Sequence, residues 1–168
     1  LGVPVKVMEI VKPKAILHTP AGETVIDMGQ NMTGYVSFIC REPRGTKVLL
    51  EHGEVLQNQC FYNQNYRTAK ARYIYISDGT QRRVHAKLCF FGFQYIRVSG
   101  IKDVRLEDFE GHVLYSDLSM TGSLETGHKL LNQLMKNILW SQKGNFLDIP
   151  TDCPQRDEKM GWTGDAQI

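Results

Sequence analysis

The chain has 168 residues, 42% of them hydrophobic and 23% charged, and a formal net charge of +2. That suits one full domain plus a piece of another, with enough apolar residues to bury a core. Lys and Arg are scattered, with Arg82-Arg83 the only adjacent cationic pair, so no basic field exists to attract nucleic acid or an anionic lipid surface.

The cysteines are Cys40, Cys60, Cys89 and Cys153. None forms a C-x-x-C pair and no histidine cluster accompanies them, so neither a zinc site nor a disulfide framework is expected, and they read as buried or free thiols. No window approaches a membrane span, and Asn31-Met32-Thr33 fits the glycosylation triplet only at the level of chance. The chain begins at Leu1, and its terminal motif runs on to the last residue, Ile168. We therefore expect it to be cut through a domain, and the cellular compartment stays open.

From residue 3 to about 118 the pattern is that of short β-strands rich in β-branched and aromatic residues, broken by Gly and Pro turns. Val3-Val5-Val7 alternates first. Strands are then predicted over Thr24 to Met28, Tyr35 to Arg41, Lys47 to His52, Arg72 to Ser77, Val84 to Phe90, Tyr95 to Ser99 and Glu110 to Tyr115. Pro43-Arg44-Gly45 and Asp78-Gly79 are the clearest turns, the second lying between Tyr73–Ile76 and Arg83-Val84. About eight strands at this spacing favour an antiparallel β-sandwich. Gln57 to Ala71 differs: its amides are crowded with Phe61, Tyr62 and Tyr66, as in a long surface loop that either contacts sugar or packs on a neighbouring domain.

After Leu118 the period changes. Leu130, Leu131, Leu134, Ile138 and Leu139 recur at spacings of three and four, giving one apolar helical stripe. Thr126 or Gly127 is the candidate start and Gly144 the candidate end, with Trp140 near the stripe as a core residue. Thr163-Gly164-Asp165-Ala166 has the look of a second helix start. So little helix cannot bury the stripe alone. It must lean on the sandwich, on another copy or on further sequence, and self-association through the exposed helix is one outcome.

The terminal run is Asp152-Cys153-Pro154-Gln155-Arg156-Asp157-Glu158-Lys159-Met160-Gly161-Trp162-Thr163-Gly164-Asp165. Clustered carboxylates, one Arg, one Trp and pinning Pro and Gly residues make poor core material and a good sugar site. Glycoside hydrolysis needs a protonated carboxyl, and crowding of Glu158 by Asp157, with Asp152 and Asp165 near in sequence, would favour a shared proton. Arg156 would oppose that if aimed at Glu158, or else clamp a hydroxyl. Trp162 supplies an apolar wall, and Gly161 and Gly164 permit close backbone approach. A solvated acidic loop with Asp152 capping a turn fits the same residues. No metal ligand set stands out.

That run, continued through Ala166-Gln167 and with Trp140 to Thr151 before it, closely resembles the central motif of bacterial α-L-rhamnosidases of glycoside hydrolase family 78. Asp27 to Tyr35, Arg67 to Ala71 and Phe90 to Tyr95 resemble, in order, the sandwich domain that precedes the family's barrel. The resemblance spans roughly residues 23 to 168. It implies an antiparallel β-sandwich over residues 1–118, and over residues 119–168 the helical start of an (α/α)6 catalytic barrel. It further implies inverting hydrolysis of terminal α-L-rhamnosides, with no cofactor. Glu158 would be the general acid, and Asp152, Arg156, Trp162 and Asp165 would line the rhamnose pocket. Lys159 stands where the family often has Arg, as a surface-like variation. The general base would be a Glu beyond residue 168, so the isolated chain is expected to be silent and Glu158 exposed. A non-catalytic carbohydrate-binding or purely structural sandwich is the alternative.

Overall fold

The computed structural model describes residues 2–164. Its strands are β1 (Val5–Val11), β2 (Ala15–His18), β3 (Thr24–Cys40), β4 (Lys47–Gly53), β5 (Val55–Gln57), β6 (Cys60–Tyr62), β7 (Arg72–Ile76), β8 (Arg82–His85), β9 (Phe91–Ser99) and β10 (Phe109–Ser116). One helix follows, α1 (Lys129–Asn145), then the two-residue strands β11 (Phe146–Leu147) and β12 (Ile149–Pro150). The expected architecture is present: an antiparallel sandwich, built as one curled sheet, with a helix at its C-terminal side.

The organising element is β3. It was expected as two strands, yet Thr24–Cys40 runs continuously for 17 residues. Its first half pairs with β2 on one side and β9 on the other, and its second half with β10 and β8. A register shift between Asp27 and Met32 bends it, as extra residues in a strand do. That bulge is where sequence periodicity is lost and where two strands were read. The sheet order is β1-β10-β3-β9-β4-β7. Ile26, Met28, Met32, Val36, Phe38, Val48, Leu50, Phe93, Ile96, Phe109 and Val113 form the core.

Two further expectations change. The strand read over Val84 to Phe90 is split. β8 and β9 lie end to end along β3, at Ser37–Cys40 and then Gly34 downward, while residues 86–90 leave the sheet between them. The Asp78-Gly79 turn exists, with Gly79 at φ +81°, but it joins β7 to β8, which pair with β4 and β3 and not with each other. The segment Gln57 to Ala71 is not simply a surface loop. It completes the β5–β6 hairpin, adds a turn of 3-10 helix at Gln64–Tyr66, and buries Phe61 and Tyr66. Tyr66 is fully buried, and its hydroxyl donates to the Gly92 carbonyl at 2.7 Å.

The helix begins at Lys129, with Thr126 ordering the turn before it through a reciprocal pair of bonds with Asn132. Gly144 does not end it; the helix continues to Asn145. Gly144 is instead where α1 meets the sheet, its carbonyl accepting from Thr33 Oγ1 at 2.8 Å. The leucine stripe does not lean on the sandwich. Leu130, Leu131, Leu134 and Ile138 are exposed, whereas Trp140 packs against the core and Lys143 donates to Glu9 at 2.6 Å.

Candidate active site

β11 and β12 form a minimal hairpin turning at Asp148, φ +70°, a conformation Asp tolerates better than most residues. The hairpin is tied down by Asp148 N–H donating to Ser116 Oγ at 2.9 Å. Beyond it the chain makes a closed loop. Its neck is the bridge between Thr151 and Gly161, flanked by Trp162 N–H to the Pro150 carbonyl (2.9 Å) and Asp152 N–H to the Met160 carbonyl (3.2 Å). Gly161 serves this neck: a Cβ there would stand 2.6 Å from Ile149 Cδ1.

The loop is seated on the sandwich. At Gly92 in β9, a Cβ would meet the Gln155 nitrogen and Pro154 Cγ, both at 2.9 Å, so the missing side chain lets the loop lie against the strand. Arg67 Nη1 donates to Glu158 Oε1 at 2.6 Å, and Thr68 Oγ1 donates to Asp157 Oδ2 at 2.8 Å. Lys159 is half-buried, not a surface residue as expected. Its Nζ lies 3.9 Å from the centroid of the Phe90 ring and donates to the Phe90 carbonyl at 3.4 Å, and burial pushes its ammonium pKa down.

The sequence-predicted residues are brought to one loop but not to one cleft. Glu158 is exposed, as expected, and Arg156 Nη1 lies 3.5 Å from its Oε1. Arg156 thus points at Glu158. Asp152 lines two adjoining spaces. The first, about 380 Å3, lies between the β3 bend (Asn31 to Thr33), Glu54, the α1 face at Trp140 and Gly144, and Gln155. The second is an open groove of about 810 Å3 along the exposed side of α1, where Asp152 meets Trp162 and Ile138. Glu158 and Arg156 line neither. Asp165 lies outside the described residues, as does Ala166; of the expected second helix start only Thr163 and Gly164 are described.

Sequence reasoning gave no role to Arg67, Thr68 and Glu54. Arg67-Thr68 stood out only within a motif; the signal was a polar pair directly after the aromatic anchor Tyr66. Glu54 faces the first cleft, accepts from Asn31 Nδ2 at 3.2 Å, and burial pushes its carboxyl pKa up against the opposing effects of that bond and the Arg156 charge. Among the described residues no group of three His, Cys, Asp or Glu side chains is placed to hold a metal ion, and no helix is long and apolar enough to cross a membrane.

Residues 17–115 match the bacterial α-L-rhamnosidase concanavalin-like domain. The chain belongs to the bacterial α-L-rhamnosidase family. Residues 119–168 match the family's six-hairpin glycosidase domain. An α-L-rhamnosidase of Formosa agariphila is 39% identical over 94% of this chain, which covers 18% of that protein. The crystal structure of an α-L-rhamnosidase from Aspergillus terreus superposes with a TM-score of 0.93 at 35% identity, over 97% of this chain and 19% of that one. That of Streptomyces avermitilis α-L-rhamnosidase, complexed with L-rhamnose, superposes with a TM-score of 0.92 at 36% identity, over 98% of this chain and 16% of that one. The chain thus spans under one-fifth of the length of these relatives.

Proposed function

We propose that this chain is the sandwich and the first part of the catalytic domain of an inverting α-L-rhamnosidase, dividing near residue 118. The observation that carries this reading is the closed loop Asp152–Met160, seated on the sandwich with Glu158 at its surface, while Asp152 and Trp162 line the groove beside it. Family membership supplies the sugar.

In this reading Glu158 donates a proton to the glycosidic oxygen as the C1–O bond breaks through an oxocarbenium-like transition state. A water on the opposite face attacks C1, and a second carboxylate, outside these residues, takes its proton. Inversion requires the two carboxyls about 6.5–9.5 Å apart, leaving room for that water. Nothing requires them to be close in sequence. Asp152, Arg156 and Asp165 bind sugar hydroxyls, and Trp162 packs on the apolar C–H face. The substrate is a rhamnose-containing glycoside or oligosaccharide. Without the base and the walls that exclude water, the 168-residue chain alone hydrolyses nothing. The carbohydrate-binding alternative draws little support from the amide-rich loop, since Phe61 and Tyr66 are buried and not offered to a ligand.

The stereochemical part is tested by following hydrolysis of an aryl α-L-rhamnoside by the full-length protein with proton NMR. The β-anomer of rhamnose is expected to appear first; initial release of the α-anomer would refute inversion.

A further inference from the structure

The contact between Arg67 and Glu158 joins two parts of the chain 91 residues apart, and several features set it apart from an ordinary surface ion pair. Arg67 has φ +59° and ψ −115°, a conformation an L-residue adopts only at a cost and glycine adopts freely. The residue before it, Tyr66, is fully buried and bonded to the Gly92 carbonyl. Pro154 and Gln155 of the acidic loop lie where a side chain of Gly92 would stand. The residue after it, Thr68, holds Asp157. Arg67 and Thr68 thus hold one short loop while buried Tyr66 anchors them to β9, and the strained Arg67 carries the guanidinium that reaches the carboxyl. Exposed ion pairs add little stability, so orientation is the larger effect of this placement.

The atoms matter. Arg67 Nη1 and Arg156 Nη1 both approach Oε1 of Glu158, at 2.6 and 3.5 Å. Among the described residues no hydrogen bond falls on Oε2. We propose that Arg67 is the positioning residue for the general acid: by donating to Oε1 it fixes the plane of the Glu158 carboxyl and leaves Oε2 to carry the proton. That proton passes from Oε2 to the glycosidic oxygen as the C1–O bond breaks, and the carboxylate left behind keeps its guanidinium contact. The inference rests on the reading of Glu158 as the acid. It makes the sandwich a working wall of the active site and not only a buttress.

The test uses the full-length protein and two rhamnosides, one with an alkyl leaving group that needs the acid and one with a 2,4-dinitrophenyl group that does not. Glu158→Gln is expected to lower turnover of the alkyl rhamnoside by about 100-fold or more and to spare the activated one. Arg67→Met is expected to lower kcat on the alkyl rhamnoside by about tenfold or more, with little change in KM, and to spare the activated one. The double variant should be no slower than Glu158→Gln alone, because Arg67 acts through that residue. Arg67→Lys, with a point charge but no fixed fork, should recover part of the loss. If Arg67→Met does not fold, Arg67→Lys carries the test, with an expected loss of about threefold or more on the alkyl rhamnoside only. Wild-type turnover in the Arg67 variant, or an equal loss on both substrates, overturns the inference. Wild-type turnover of the alkyl rhamnoside by Glu158→Gln overturns instead the reading of the acid itself.

Discussion

Gly34 lies in β3 at φ +158°, and a Cβ there would stand 1.8 Å from the backbone oxygen of His112. The close approach lets β10 pair with β3 through Gly34 to Phe38. Gly34→Ala is therefore expected to cost about 3 kcal/mol or more, at the severe end for one substitution, measured by urea denaturation; a loss under about 1 kcal/mol would mean the strands separate without penalty. His52 is fully buried, stacked on Phe91 at 4.1 Å between centroids, and burial pushes its pKa down to about 4 from 6.5. The unfolded chain therefore takes up a proton below pH 6.5 that the folded one refuses until about pH 4. Stability falls as pH falls through that window, by about 3 kcal/mol in all, and the loss is absent at pH 7 and above. Urea denaturation between pH 7 and 5 should give a slope that His52→Leu flattens; an unchanged slope would place the titration elsewhere. His112 adds a smaller slope of the same sign, since burial also lowers its pKa. Neither residue drew notice in the sequence, because alternation tells which face a residue occupies and not how deep it lies or which backbone stands opposite. The same blindness made Lys159 look like a surface residue, when Phe90 lies over it from 69 positions away.

Among the elements, α1 was located from its period. Its apolar stripe could lean on the sandwich, on another copy or on further sequence; the sandwich takes Trp140, Lys143 and Gly144 instead. A glycine near a helix end reads as a terminator, while Gly144 admits Thr33 and the helix runs one residue further. Leu130, Leu131, Leu134 and Ile138 are left 47–75% exposed. We propose that in the 168-residue chain a second copy covers them, an isologous contact of low cost. Sedimentation of the chain should give an average mass that rises with concentration, and replacing the three leucines by Gln should abolish the rise. A mass fixed at the monomer value across concentration would remove this proposal. The strands were read well wherever the ladder is regular, as in β4, β7 and β10. They were misread where it is not: at the bulge in β3, and at residues 86–90, where a strand-like sequence leaves the sheet and Leu88 takes φ +57°.

Over the whole molecule, the acidic run and the strand pattern were both legible, but the relation between them was not. Chain order put Glu158 among its neighbours Asp152, Arg156, Asp157 and Trp162. The fold adds Arg67, Thr68, Phe90 and Gly92 from the sandwich, and turns Glu158 away from the clefts that Asp152 lines. Such contacts depend on loop closure across some 90 residues, which no local pattern encodes. Hydrolysis in this reading rests on Glu158 as the acid. The decisive measurement is hydrolysis of a chromogenic α-L-rhamnoside with a poor leaving group by the full-length protein, wild type against Glu158→Gln, with the 168-residue chain as a third sample. Expected are an active wild type, a variant slower by about 100-fold or more, and a silent chain. An inactive wild type, or a variant as fast as it, would remove Glu158 from the role of acid.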